Sequence, residues 1–528
     1  MKQNISGTYA DLVKQSHLIR QNSVAASKYN IQVGHCSKSV GAVAITEEFQ
    51  RLLPDEISVT TSGCDGSCFN SPQVTLMDHS GIEKHFHRVK PADVEKIVSG
   101  TLAPSSYEQQ FFSLQHRIVL DGCGNTNPYD IHEYISNGGY SALAQALLMS
   151  PEEIIDIIEN SELRGRGGAY FPVALKWKSA LQTDKTPRYL VVNCEEGEPG
   201  IFKDRHLMEG VPHKIIEGIT IAAYASGASK AYIYINAEAN LSNDRMSTAL
   251  EHAIGNGILG NNILQSNFNL DIEIRRGAGG YVCGEETTLI NTIEGDRREP
   301  RLRPPFPTES GIMGKPTVIN NPETLSSIPF IIRNGPDKFK NIGLASDSGT
   351  KIISLSGPVN RPGVIEVPMG TTLREIIYKI GGGLRKESEL KAVAVGGPSS
   401  GILPPSELET GIKPGQLHES GVILGAGGII VLSNGTSILE TMRILAQYNA
   451  SESCGKCTPC REGTPRMVDF IDKLSGSNGS INDISEIKIL ATLINASSLC
   501  GLGQAAGNPV LSTLRFFEEE VAEFVKQI

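Results

Sequence analysis

Four cysteines near the end of the chain have the spacing of metal-cluster ligands. SESCGKCTPCREG places Cys454, Cys457 and Cys460 two residues apart, and Cys500 follows in SSLCGLG. Three thiolates on one tight loop with a distant fourth is how a cubane [4Fe-4S] cluster is held. Zinc more usually shows two separated C-x-x-C pairs. A thioredoxin-type redox pair in CTPC would leave Cys454 and Cys500 unexplained. Near the start, Cys64 and Cys68 in SGCDGSCFN, with Cys36 upstream, suggest a [2Fe-2S] site one thiolate short of four. His35 is a candidate fourth ligand, but neighbours on an extended segment point apart. The competing reading is a domain that keeps its fold and has lost its cluster.

Between these groups lie loops suited to a nucleotide. GRGGAYFP and GAGGYVCG are glycine-rich, CEEGEPG is an acid run after an apolar strand, and Asn320-Asn321 lies in KPTVINNPETL. Backbone N–H groups with Arg166 or Lys176 suit a phosphate. Carboxylates suit ribose hydroxyls, and amides suit flavin heteroatoms. Each loop alone has a plainer reading, as a turn, a solvated loop or a helix cap. Neither glycine loop has the G-x-G-x-x-G spacing of an ordinary dinucleotide site.

The elements that must position these residues follow from pattern. A chain of 528 residues needs several cores. A polar helix is expected over 1–28. A small α/β unit follows, with strands in NIQVG, EISVTTSG and PQVTLMD. The strands RYLVVN, KAYIYIN and NLDIEIRR each lead through a loop toward a helix, as in an α/β nucleotide-binding domain. Ser150-Pro151-Glu152-Glu153 is a strong helix start. EPRLRPPFP is too proline-rich for helix or strand. From 351 a compact β-rich unit carries one helix at TLREIIYKI, and from 437 the pattern is helical.

A net charge of −10 argues against nucleic acid. No apolar run approaches a membrane span. MKQNISGTYADLVKQ lacks the apolar core of a secretory signal, so ten cysteines are expected as thiols or metal ligands.

Taken in order, GRGGAYFPVALKW, NCEEGEPGIFKDR, GAGGYVCGEETTL, GKPTVINNPETL and ESCGKCTPCREG resemble the NADH-binding flavoprotein subunit of respiratory complex I (the 51 kDa, or F, subunit). The same module occurs in the diaphorase subunits of NAD-linked hydrogenases and formate dehydrogenases. The resemblance spans residues 115 to about 525, and the start is similar to the thioredoxin-like [2Fe-2S] domain fused ahead of it. It implies an α/β multidomain protein: a thioredoxin-like unit (1–105), a Rossmann-like FMN and NADH domain (106–345), a β-grasp (SLBB) domain (346–430) and a helical [4Fe-4S] domain (431–528). By motif position it implies FMN contacts at Gly165, Arg166, Gly167, Lys176, Asn193, Glu195, Glu196, Tyr281, Gly284, Glu285, Asn320, Asn321 and Thr324. The nicotinamide nucleotide should meet Phe171, Glu198, Glu286, Arg303 and Phe306. No side-chain acid or base need be catalytic, because hydride passes to the flavin.

Implied partners are a [2Fe-2S] thioredoxin-like subunit and a larger iron–sulfur or catalytic subunit. The implied place is the cytoplasm, or the inner membrane face reached only through partners. Competing readings are a cluster-bearing scaffold or ligand-binding subunit without flavin turnover, and a zinc-stabilised structural protein. Several positions depart from the family pattern. Tyr170 stands for a glycine, Val173-Ala174 for Thr-Gly, Cys194-Glu195 for Ala-Asp, Asn236-Ala237-Glu238-Ala239 for Arg-Gly-Glu-Tyr, and Arg303 for lysine. In the N-terminal motif the missing cysteine falls on Ile31 or Gly41. Tyr170 is expected to point away from the flavin.

Overall fold

The computed structural model describes residues 2–22, 28–54, 57–78, 81–106, 108–277, 279–415, 417–476 and 479–526. Its central element is a four-stranded parallel sheet, ordered Asp271–Arg276, Lys230–Ile235, Tyr189–Cys194 and Thr317–Asn320. The central strand YLVVNC is nearly all apolar because helices cover both faces of such a sheet. Helices Pro212–Ser226 and Pro322–Asn334 are almost entirely buried. Each starts with proline, whose missing N–H costs nothing in a first turn.

The N-terminal unit has four strands, Lys28–Gln32, Ser58–Ser62, Gln73–Met77 and Glu83–His87, in the order second, first, third, fourth. The first pair is parallel and the last pair antiparallel, an arrangement that fits a thioredoxin-like unit. Ile31, Ile45, Phe49, Val74 and Phe86 form its core. The Glu83–His87 strand escapes the sequence reading because EKHFH shows one apolar residue among charged and imidazole side chains.

The first helix, Lys2–Asn22, forms as expected but does not belong to the unit that follows it. Ile5 enters the core of the central domain, and the Tyr9 hydroxyl donates to the Gly139 carbonyl at 2.9 Å. Arg20 pairs with Glu133 at 3.2 Å.

The β-grasp unit is a five-stranded sheet, ordered Gly363–Pro368, Thr350–Ser356, Gly428–Ser433, Leu390–Val395 and Gly401–Leu403. Its expected helix is a π-helical turn at Glu375–Ile380, closed by Gly381 N–H on the Ile376 carbonyl at 2.8 Å. Helices Ile438–Ser451, Thr458–Ser475, Ile481–Ser497 and Asn508–Phe516 pack around Met442, Met467, Ile471, Ile487 and Leu514. Among the described residues no helix is long and apolar enough to cross a membrane.

Candidate functional site

The carboxyl edge of a parallel sheet is where α/β domains bind ligands, because the loops there diverge and leave a crevice. Four loops meet at this edge. The 162–172 loop is closed by Gly165 N–H on the Phe171 carbonyl at 2.9 Å. Its middle is tied to the helix after the fourth strand: Arg166 N–H donates to Thr324 Oγ1 at 2.8 Å. A Cβ on Gly167 would come within 3.1 Å of Asn321 Cβ. From the first strand, Asn193 Nδ2 donates to the Gly284 carbonyl at 2.8 Å, joining the acid run to the second glycine loop. Lys176 donates to Glu286 at 3.3 Å and to the Ile319 carbonyl at 3.1 Å, and Glu286 also pairs with Arg303 at 2.8 Å. Burial opposes the Glu286 carboxylate, but Lys176 and Arg303 outweigh it and hold its pKa low. Trp177 Nε1 donates to Asn320 Oδ1 at 3.0 Å. These contacts bring Gly165, Arg166, Gly167, Lys176, Asn193, Gly284, Glu286, Arg303, Asn320, Asn321 and Thr324 together, from loops and from the strand and helix ends beside them.

Several of them spend their polar groups on the scaffold. The buried Arg166 guanidinium donates to the carbonyls of Thr350 (2.9 Å) and Ser348 (2.6 Å), so its cation faces the β-grasp unit. Glu196 accepts from Asp204 N–H (2.7 Å) and Arg205 N–H (3.1 Å) and caps the helix Lys203–Gly210. Glu285 caps the helix Glu286–Glu294 through Thr287 and Thr288 N–H, both at 2.9 Å. Asn321 caps Pro322–Asn334 through Glu323 N–H at 3.0 Å.

Two acids are left with unsatisfied atoms. Glu195 Oε2 and Glu198 Oε1 are buried without a hydrogen-bond partner. Burial pushes Glu195 up to about 7 and Glu198 up to about 8. Orphaned buried polar atoms are rare and call for an explanation, such as a ligand. Phe171 and Phe306, 50% and 51% exposed, flank the same edge.

Tyr170 has φ 52°, the left-handed conformation that its neighbour Gly168 (φ 115°) adopts freely. The side chain enters the β-grasp unit. It is 4% exposed, packs in the β-grasp core, and its hydroxyl donates to the Gly425 carbonyl at 3.0 Å. A bulky residue with positive φ is an outlier that surrounding structure must hold in place. Tyr170→Phe removes that bond and is expected to cost about 1–2 kcal/mol. A thermal melt would show a midpoint a few degrees lower, with bound flavin unchanged.

The sequence reading missed a buried ionic network. Lys203 Nζ lies 2.5 Å from Asp204 Oδ1, 3.0 Å from Glu323 Oε2 and 3.2 Å from Asn321 Oδ1. Lys351 Nζ lies 2.5 Å from the same Glu323 oxygen. Burial opposes the Lys203 ammonium, and Asp204, Glu323 and Glu196 more than offset it, so the group stays charged. Burial brings Lys351 down to about 8. FKDR and NNPETL carried four of these residues in plain view, Lys203, Asp204, Asn321 and Glu323, but only burial distinguishes them from surface polar groups.

The C-terminal cysteines do come together. Cys454, Cys457, Cys460 and Cys500 pack in one cluster with Val282, Leu502 and Tyr281, although among the described residues no three His, Cys, Asp or Glu side chains are drawn together closely enough to hold a single metal ion. Cys457 is the N-cap of the 18-residue helix Thr458–Ser475, whose positive end suits an anionic cluster. Burial pushes the Cys460 thiol up to about 11 without a metal, although Ser453 Oγ lies 3.2 Å from its sulfur.

At the N-terminal site, the Cys64 and Cys68 thiols lie within hydrogen-bonding reach, with Cys36 in the same neighbourhood. Gly66 N–H donates to Cys64 Sγ at 3.3 Å. Ile31 is fully buried in its strand and Gly41 begins a helix, so neither place supplies a fourth ligand. His35 begins a short helix and gives its N–H to Glu209 at 2.7 Å.

A parallel α/β domain with crevice loops, a β-grasp unit and a helical four-cysteine unit defines a flavin and iron–sulfur oxidoreductase module. Comparison with known proteins agrees. Residues 158–330 match the Nuo51 FMN-binding domain, 352–403 the SLBB domain, and 440–524 the NADH-ubiquinone oxidoreductase-F iron–sulfur binding region. The NADP-reducing hydrogenase subunit HndC of Solidesulfovibrio fructosivorans is 43% identical over 77% of this chain and 83% of its own. The F subunit of the NADH-quinone oxidoreductase of Aquifex aeolicus is 44% identical over 76% of this chain and 92% of its own. A chain of the NAD+-reducing [NiFe]-hydrogenase, in its air-oxidized crystal structure, superposes with a TM-score of 0.68 at 28% identity. That match covers 95% of this chain and 85% of the other. The chain belongs to the family of the F subunit of NADH-quinone oxidoreductase, to which the hydrogenase subunit HndC is also similar.

Proposed function

We propose that this chain takes hydride from a reduced nicotinamide nucleotide onto FMN at the sheet edge and delivers single electrons to a partner subunit through a [4Fe-4S] cluster. One observation carries the reading: a single loop lines both sites. Tyr281 and Val282 belong to the crevice segment Gly280–Glu286, and both pack in one cluster with the four cysteines. Residues that fit a flavin therefore lie a side chain away from residues that fit a cluster.

FMN, when bound, accepts an electron pair and releases electrons one at a time. The protein's own residues bind and orient. The 165–168 loop and Asn321 make the narrow wall of the cradle, with Thr324 holding that loop. Lys176 keeps positive charge beside it. Phe171 and Phe306 offer faces for aromatic rings. Glu198, Glu286 and Arg303 orient the nucleotide. Tyr281 is fixed by its hydroxyl on Ser399 at 2.8 Å and by its N–H on Glu452 at 2.7 Å.

Cys454, Cys457, Cys460 and Cys500 hold the cluster. Three thiols on one tight turn with a fourth from a separate helix start, within a segment that matches an iron–sulfur binding region, support a cubane over zinc. The partners are electron-transfer subunits of a hydrogenase, formate dehydrogenase or complex I type assembly, and contact with a membrane is through them. Tyr170 turned into the β-grasp core speaks against a scaffold whose flavin site is plugged.

The purified protein is expected to be yellow, to release FMN on denaturation, and to bleach anaerobically with NADH. A flavin-loaded, iron-loaded sample that neither NADH nor NADPH bleaches would overturn the proposal.

A further inference from the structure

Ser453 stands one residue before the first of the four late cysteines, between the helix Ile438–Ser451 and the cysteine loop. Its stretch of chain is tied on both sides. The Ser453 N–H donates to the Ala450 carbonyl at 3.4 Å, at the end of that helix. The neighbouring Glu452 carboxylate accepts the Tyr281 N–H of the crevice loop at 2.7 Å. The Ser453 hydroxyl lies within the fold of the cysteine loop. Its oxygen is 3.2 Å from Cys460 Sγ and accepts the Gly455 N–H at 3.4 Å. Gly455 has φ 78°, the left-handed conformation that lets the loop turn there.

Which group donates between Ser453 and Cys460 follows from the state of the sulfur. A free thiol could give its proton to the hydroxyl. A cysteine that ligates iron is a thiolate without a proton, so only the hydroxyl can donate. The Gly455 N–H takes a lone pair of Oγ and leaves the O–H for the sulfur. Of the three cysteines on the loop, Cys460 alone is buried, where water competes least for its sulfur. A hydrogen bond in such surroundings is electrostatically stronger than in water. It draws negative charge from the thiolate, and so favours the more negative, reduced state of the group that the thiolate holds. The plainer role for Ser453 is a turn that its hydroxyl closes on Gly455, with no effect on the sulfur.

We propose that the Ser453 hydroxyl donates a hydrogen bond to the Cys460 thiolate and so raises the reduction potential of the cluster, drawing electrons from the flavin side. This rests on the [4Fe-4S] reading above.

The test is a redox titration of the full-length holoprotein, followed by electron paramagnetic resonance of the reduced cluster, with iron per chain as the control. Ser453→Ala is expected to keep about four irons and to be harder to reduce. At a fixed applied potential its ratio of reduced to oxidised cluster should fall severalfold, up to about tenfold, where tenfold is about 59 mV for a one-electron couple. Ser453→Thr keeps the hydroxyl and should titrate as the wild type does. A Ser453→Ala protein with the wild-type midpoint, or a Ser453→Thr protein displaced as far as Ser453→Ala, would overturn the inference while leaving the cluster in place. If Ser453→Ala does not hold iron, electron–nuclear double resonance of the reduced wild-type cluster decides. A coupled proton that exchanges within seconds in D2O, as a hydroxyl does and protected backbone amides do not, supports the inference. A spectrum without one overturns it. A wild type that takes up no cluster on anaerobic reconstitution would sink the iron–sulfur reading itself, and its iron content tells the two failures apart.

Discussion

Cys457→Ser is expected to empty the C-terminal site, dropping iron by about four per chain, while flavin reduction by NADH persists. Cys457 joins the loop to the helix Thr458–Ser475, and Cys500 closes the site from the far side of the helical unit. Losing one thiolate leaves the buried Cys460 and Cys500, with thiols that burial keeps protonated, without the metal that would deprotonate them. Hydride transfer depends on the sheet-edge loops, whose hydrogen bonds involve no cysteine thiol of this group. The result should be a yellow, NADH-bleachable protein whose reduced flavin reoxidises slowly through its partner. Iron analysis and stopped-flow absorbance check both halves. Undiminished iron in the variant would contradict the ligand assignment.

Lys203→Met is expected to cost about 3–5 kcal/mol and to strip FMN from the protein, because it leaves buried acids undercompensated. Asp204 and Glu323 then share the single cation Lys351, which burial already brings down to about 8. Asn321 loses its Lys203 contact, and Asn321 orders the wall of the cradle through Asp204 Oδ2 at 2.7 Å and the Asn193 carbonyl at 3.3 Å. Adding Glu323→Gln should recover part of the loss, since the amide still accepts from Ile352 N–H (2.8 Å in the parent) but carries no charge. Urea denaturation monitored by fluorescence, with FMN content of each variant, measures this. Equal stability of Lys203→Met and the parent would show that the network contributes little.

Much of this was legible in the sequence where local pattern and final environment agree. The strands at 189–194, 230–235 and 271–276 read correctly because β-rich apolar runs ended in glycine or acid loops. The four late cysteines stood out as a group because packing alone gives no reason for that spacing, and they do pack together. Their contact with Val282 did not stand out, since nothing in GAGGYVCG says that it faces a loop 170 residues away. Arg166, Glu196 and Glu285 showed as ligand-type residues, yet their side chains cap helices and tie domains. A charged side chain in a glycine loop looks the same in either role until its partners are known. Tyr170 was legible as an anomaly expected to point away from the flavin, but its destination was not. Its ring finds a place in the β-grasp core, and a sequence motif does not record which domain lies behind a loop.

The most direct test is an anaerobic NADH titration of the isolated, full-length protein, followed by flavin absorbance and by electron paramagnetic resonance of the cluster. The account predicts flavin bleaching with the appearance of a reduced [4Fe-4S] signal, and loss of that signal, but not of the bleaching, in Cys457→Ser. A cluster that NADH cannot reduce while dithionite can would contradict it.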